Sequence, residues 1–213
     1  MLCLLPVGSY EQHGPHLPPT VDAEVALYVA KRLAEVTNGV VLPAVYYTCS
    51  AEHQGFPRTI SVKCATFIQY LEDLLRSAAG MCEKVVVVVG HGGVAEAVTL
   101  VTQQLNYKLG PRFLPLPVWR YVKVRDHAGT DETSVYLAIG GAVGKMEDVC
   151  EGDVSLFGVM RVSAFSKTGV VGCLRPAEVS AERGRALLEE GISEMAKKIA
   201  EFIRISSQPP RAP

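Results

Sequence analysis

The sequence predicts a three-layer α/β/α sandwich with a mostly parallel central sheet. Two observations carry that reading. Short apolar runs alternate with helix-periodic segments along most of the 213 residues, the pattern of β-α-β-α units. One run, Lys84 to Val89, holds five consecutive valines, which suits a strand buried on both faces of a parallel sheet. The elements follow in order. Leu2–Gly8 reads as the first strand, and Asp22 to Thr37 as a helix, with Val25, Val29, Leu33 and Val36 on one face and a stop at Asn38-Gly39. Val40 to Tyr47 reads as a second strand. Cys64, Phe67, Leu71, Leu74 and Ala78 mark a second amphipathic helix, closed by Gly80. After the valine strand come Gly90-His91-Gly92-Gly93, a helix from about Val94 to Tyr107, a strand Phe113–Val118, a helix Glu132–Ile139 and a last helix carrying Leu188, Ile192, Met195, Ile199 and Phe202. The chain reads as a single domain over residues 1–205, with a Pro-rich tail, 206–213, expected to fray.

Composition narrows the function. Hydrophobic residues make up 48% and charged residues 20%, so the chain folds around a core. Net charge is -1, which lacks the basic footprint of a nucleic-acid binder. No apolar run approaches the roughly 20 residues a membrane span needs. Met1–Gly8 has no basic leader, so a cytoplasmic location is expected. The six cysteines (Cys3, Cys49, Cys64, Cys82, Cys150, Cys173) contain no C-x-x-C pair, and the expectation is reduced, buried thiols. Only two asparagines, Asn38 and Asn106, lean toward a thermophile, where disulfides would surprise less.

Of three polar clusters, two follow predicted strands, where a parallel sheet presents its ligands beyond the carboxyl ends. Gly8 to Asp22 gathers Glu11, His13, His16 and Asp22; a Glu-x-His pair in extended chain shares one face, and a mixed carboxylate and imidazole set suits Zn, Mn or Fe. Asp22 is equally placed to cap the first helix. Gly90-His91-Gly92-Gly93 is either a turn with an incidental His or a site where backbone N–H groups approach an anion. Asp126 to Ser134 offers His127, two acids and a helix start, with Thr130 or Asp131 as a possible cap. Together the clusters hold enough groups for two metals sharing a carboxylate. Neither a G-x-S-x-G elbow, nor G-x-G-x-x-G, nor a Walker loop is present.

Leu5-Pro6-Val7-Gly8-Ser9-Tyr10-Glu11-Gln12-His13-Gly14-Pro15-His16-Leu17-Pro18 with Asp22 resembles the opening motif of the creatininase (creatinine amidohydrolase) family. Ser50 to Ser61, Gly90 to Gly93 and His127 to Ser134 resemble three further blocks of that family, in the same order. The resemblance implies a metal-dependent amidohydrolase acting on C–N bonds other than peptide bonds, in which a metal-bound hydroxide attacks a cyclic or linear amide carbon, nominally turning creatinine into creatine. It implies two divalent ions per chain, zinc first, with manganese or iron as substitutes. Glu11, Asp22 and His91 would hold one; His13, Asp22 and Glu132 the other. His127 would be the catalytic proton carrier, with Gly129 letting its loop turn toward Glu132, and His53, Arg58, Gly92, Gly93 and Trp119 would touch the substrate, a small-molecule amide. A homo-oligomer, often a hexamer, is implied.

Departures from the family pattern bear on the substrate. Val89 and Val94 stand where asparagines usually flank the His-Gly-Gly core, Gly93 where creatinine-specific members can carry a glutamate, and Arg58 where F-P-G-T has glycine. Only residues 120–126 separate Trp119 from His127, leaving no room for a long covering loop. Arg58 suits either an anionic substrate or a surface ion pair. The alternatives are therefore a deformylase acting on a phosphorylated pyrimidine of flavin or deazaflavin biosynthesis, peptide cleavage in the maturation of a peptide-derived redox cofactor, and a non-catalytic metal-binding scaffold.

Overall fold

The computed structural model describes residues 1–206. Four parallel strands form the central sheet in the order β2-β1-β3-β4, with β1 Leu2–Val7, β2 Val40–Val41, β3 Lys84–Val89 and β4 Phe113–Pro117. The helices are α1 Val21–Thr37, α2 Cys64–Ala78, α3 Ala95–Leu109, α4 Val118–Val122, α5 Thr130–Ala138 and α6 Ala181–Ser206. The valine run explains the layering. Val86 and Val88 point into one core with Leu4, Val25, Val29 and Leu33 of α1 and Leu188, Met195 and Ile199 of α6. Val85, Val87 and Val89 point into the other with Phe67, Leu71 and Leu75 of α2 and Val98 and Leu105 of α3. Period-2 alternation thus makes one strand the floor of both cores, and the three-layer α/β/α sandwich is as the sequence predicts.

The second strand is shorter than predicted. Val40–Val41 pairs with Cys3–Leu4, and contact resumes only as a single bridge between Val7 and Val45. The partner offset grows from 37 to 38 residues between those contacts, so one extra residue bulges out at Pro43-Ala44. Proline has no N–H to give the ladder, which confines it to such places or to edges; Pro115 and Pro117 lie in edge strand β4. Two elements carried no sequence signal: the short α4, and an antiparallel pair, β5 Val149–Glu151 with β6 Gly172–Leu174. The proposed tail lies outside the described residues except for Ser206, which ends α6.

The cysteine expectation is corrected. The six cysteines form three disulfides, Cys3–Cys82, Cys49–Cys64 and Cys150–Cys173. Topology supplies the pairs: Cys3 lies in β1 and Cys82 just before the neighbouring β3, and Cys150 faces Cys173 across the β5–β6 ladder. Sequence separations of 79, 15 and 23 follow no motif spacing.

Close backbone contact delivers α1 to the sheet end. A Cβ on Gly8 would lie 2.3 Å from the Ala23 backbone, and one on Gly90 2.1 Å from the Asp22 carbonyl. Glycine after β1 and after β3 therefore lets the first turn of α1 press onto both strand ends, which puts Asp22 between them.

Candidate metal centre

Glu11, His13, Asp22, His91, His127 and Glu132 are all buried and meet beyond the carboxyl ends of β1 and β3. Asp22 lies in the first turn of α1, but its carboxylate caps nothing: it receives the Ser9 hydroxyl at 2.8 Å and faces His13 Nε2 at 3.6 Å and His91 Nδ1 at 3.2 Å. Two sets of donors flank it. Glu11, Asp22 and His91 form one, their ligand atoms within 4.8 Å of one another. His13, His127 and Glu132 form the other. His13 and Glu132 fall together as expected, and His127 lies nearer to this set than a purely catalytic residue requires.

Backbone carbonyls aim the imidazoles. His91 donates from Nε2 to the Cys49 carbonyl at 3.0 Å, leaving Nδ1 toward Glu11 and Asp22. His13 donates from Nδ1 to the Glu11 carbonyl at 3.0 Å, leaving Nε2 toward Asp22 and Glu132. Fixing the outer nitrogen this way is how ligating histidines are oriented. Among the described residues, Glu11 Oε2 and His13 Nε2 are buried side-chain atoms without a hydrogen-bond partner, and both point into the cluster. Orphaned buried polar atoms are costly. A divalent cation is the partner such a donor set fits.

Charge at the cluster is unbalanced accordingly. Burial alone would lower the His13 pKa, but the carboxylates of Glu132, Asp22 and Glu11 push it up to about 10. His91 is likewise raised against its burial by Glu11 and Asp22. Burial, aided by Asp22, lifts Glu132 to about 8. Burial and the neighbouring imidazoles hold His53 and His127 well below the usual histidine value. Protons on His13 and His91 stand where a cation's charge would serve.

The loop before α5 is built differently from the sequence expectation. Asp126, and neither Thr130 nor Asp131, caps α5: its carboxylate accepts the N–H groups of Asp131 at 2.8 Å and Glu132 at 3.1 Å. The turn occurs at Ala128, with φ 52°, and not at Gly129, which instead leaves room for the Asp126 carboxylate. Paired backbone bonds to Val171, both 2.9 Å, hold His127.

A cavity of about 540 Å³ opens onto the cluster, within the range of small-ligand sites. His53, Gly92, Gly93 and Trp119 line it as expected, and so do Glu52, Arg125, Val154 and Phe157, which the sequence reading passed over. Glu52 takes the place of the missing side chain at 93: a Cβ on Gly93 would lie 1.9 Å from its Oε1, which also sits 3.5 Å from His91 Nε2. Arg58 does not line the cavity. Its guanidinium donates to the carbonyls of Gly14 at 2.7 Å and Leu17 at 3.5 Å, and its backbone keeps the left-handed φ, 66°, that glycine would adopt freely. His16 is structural, bonded to Thr133 at 2.9 Å.

A parallel α/β sandwich with adjoining carboxylate and imidazole groups beyond its strand ends fits a divalent-metal hydrolase. The family model Creatininase, creatinine amidohydrolase, matches residues 1–199, and the chain belongs to that family of hydrolases. The chain is 35% identical over 212 residues to the mycofactocin precursor peptide peptidase of Mycolicibacterium smegmatis, covering 93% of this chain and 84% of that protein. It is 27% identical over 229 residues to the creatinine amidohydrolase of Pseudomonas putida, covering 93% and 88%. A solved structure described as creatininase Mn superposes with a TM-score of 0.77 at 26% identity, over 94% of this chain and 90% of that one. Among the described residues no helix is long and apolar enough to cross a membrane.

Proposed function

We propose that this chain is a two-metal amidohydrolase that cleaves a linear amide in a peptide-derived substrate. The observation that carries it is Asp22, one of the Glu11, Asp22 and His91 set, facing His13 of the adjoining set at 3.6 Å, with Glu11 Oε2 and His13 Nε2 buried and unpartnered. Glu11, Asp22 and His91 would hold one ion, and His13 and Glu132, with Asp22, the other. The mixed carboxylate and imidazole donors suit Zn, Mn or Fe. Divalent ions there supply Lewis acidity, polarising a carbonyl and making water a nucleophile near neutral pH.

The chain's own groups do the rest. His127, kept neutral by its burial, turns Nδ1 toward Glu132 at 3.9 Å and can take a proton from water and return it to the leaving nitrogen. Trp119, Val154 and Phe157 provide an apolar wall against which a substrate side chain excludes water. Three features support a linear peptide amide over creatinine: Gly93 with Glu52 in its space, the absence of a long loop between Trp119 and His127, and the similarity to a precursor peptide peptidase. A phosphorylated substrate held by Arg58 gains no support, because that guanidinium is engaged by two backbone carbonyls. Comparing kcat/KM for short peptides carrying an apolar side chain with that for creatinine tests the reading. Peptides are expected to be preferred; creatinine as the better substrate would overturn it.

A further inference from the structure

Gln12 lies between the two proposed ligands Glu11 and His13, yet its side chain turns the other way, toward two cavity imidazoles. Its carboxamide orientation is decided by backbone partners. Oε1 accepts the Gly14 N–H at 2.9 Å, and Nε2 donates to the Gly169 carbonyl at 3.0 Å. A flipped amide would set donor against donor and acceptor against acceptor.

One N–H of the amide is therefore spent on Gly169. The other has two ring nitrogens in reach, His53 Nδ1 at 2.9 Å and His127 Nε2 at 3.2 Å. His127 Nε2 also lies 2.9 Å from the backbone carbonyl of Gln12, an atom that can only accept. That ring nitrogen carries a proton and cannot accept a second one. The remaining amide N–H goes to His53 Nδ1, which must be bare. The proton of the neutral His53 ring then sits on Nε2, 3.3 Å from Glu11 Oε1.

We propose that Gln12 is a positioning residue that sets the tautomers of both cavity histidines, making His53 a hydrogen-bond donor toward the cavity and leaving the lone pair of His127 Nδ1 facing the metal centre. What the two rings are for rests on the amidohydrolase reading; the hydrogen-bond logic does not. One consequence is a choice among donor groups. Glu11, His53 and His127 are also close enough together to suggest a third cation site. A His53 protonated on Nε2 has no lone pair to offer there, so this group binds no ion and His53 instead meets an acceptor, such as the carbonyl oxygen of an amide substrate.

Long-range proton–nitrogen NMR correlations on zinc-loaded, 15N-histidine-labelled protein read the tautomers directly, and with five histidines, single substitutions assign every ring. Metal content is measured on the same sample. Wild type is expected to show His53 and His127 both protonated on Nε2. Gln12→Glu keeps the acceptor for Gly14, loses the bond to the Gly169 carbonyl and presents an oxygen to His53, and is expected to put a proton on His53 Nδ1 while His16, bonded to Thr133, keeps its form. Gln12→Met, which keeps the length and removes the donor, is expected to leave His53 in a mixture of both tautomers. A wild-type His53 protonated on Nδ1, or a His53 tautomer indifferent to both substitutions, overturns the proposal. Low metal content with the expected tautomers upholds it and counts only against the two-metal reading; two ions with the opposite tautomers counts only against Gln12.

Discussion

The two donor sets around Asp22 are anchored in different ways. Glu11, Asp22 and His91 come from the ends of β1 and β3 and the first turn of α1, held by parallel strand pairing and by the close contacts at Gly8 and Gly90. Glu132 and His127 come from α5 and the loop before it, held by the Asp126 cap, the bridge to Val171 and the packing of α5 on α6. His13 alone ties the second set to the first segment. Both sets join distant parts of the chain, but the first is joined through strand pairing within the sheet, while the second needs the α5 segment to dock beside the end of β1. The sheet-borne set should tolerate perturbation of the α5 region, and the converse should not hold.

The largest effect is expected from Asp22→Asn, which weakens both sets at once: metal analysis should find neither ion retained after dialysis. Next, His91→Ala should deplete one ion, and His13→Ala the other, with the protein still folded by circular dichroism. Asp126→Ala sharpens the contrast. Removing the α5 cap costs about 1 kcal/mol and should weaken the ion at Glu132 while sparing the one at His91.

His127→Ala is expected to lower turnover roughly 10²-fold or more, the scale of a general acid–base group, while both ions stay bound. Loss of one ion together with activity would make His127 a ligand of the second set, which its place beside His13 and Glu132 permits.

Proton balance gives a further difference between metal-free and loaded protein. His13 rises from 6.5 to about 10, so between those values the folded chain holds more protons than the unfolded one, and stability falls as pH rises through that window. Glu132, lifted from 4.5 to about 8, acts with the same sign. His16, pushed from 6.5 down to about 4 by burial and by His13, acts oppositely, but only below pH 6.5. The Tm of metal-free protein is therefore expected to fall from about pH 7 to about pH 9, and the gain in Tm on adding zinc to widen, because ions displace those protons. A gain independent of pH would contradict this.

Much of this site could be read along the chain, because its groups sit in short runs beyond strand ends, and a buried valine strand announces itself. What could not be read depends on contacts between distant segments. Cysteine partners need the strand order. Glu52 acquires its meaning only when its carboxylate is seen in the space beside Gly93. Arg58, which by charge suggested an anionic ligand, spends its guanidinium on the carbonyls of Gly14 and Leu17. The smallest predicted effect follows: Arg58→Gly relieves a left-handed residue and loses those bonds, shifting stability within about 1 kcal/mol and leaving kcat/KM on peptides unchanged.

Anomalous diffraction at the metal absorption edge, on crystals of protein reconstituted to full activity, tests the central claim most directly. Two peaks flanking the Asp22 carboxylate are predicted, one among Glu11 and His91, the other among His13 and Glu132. A single peak in fully active crystals, or two that do not share Asp22, would contradict it.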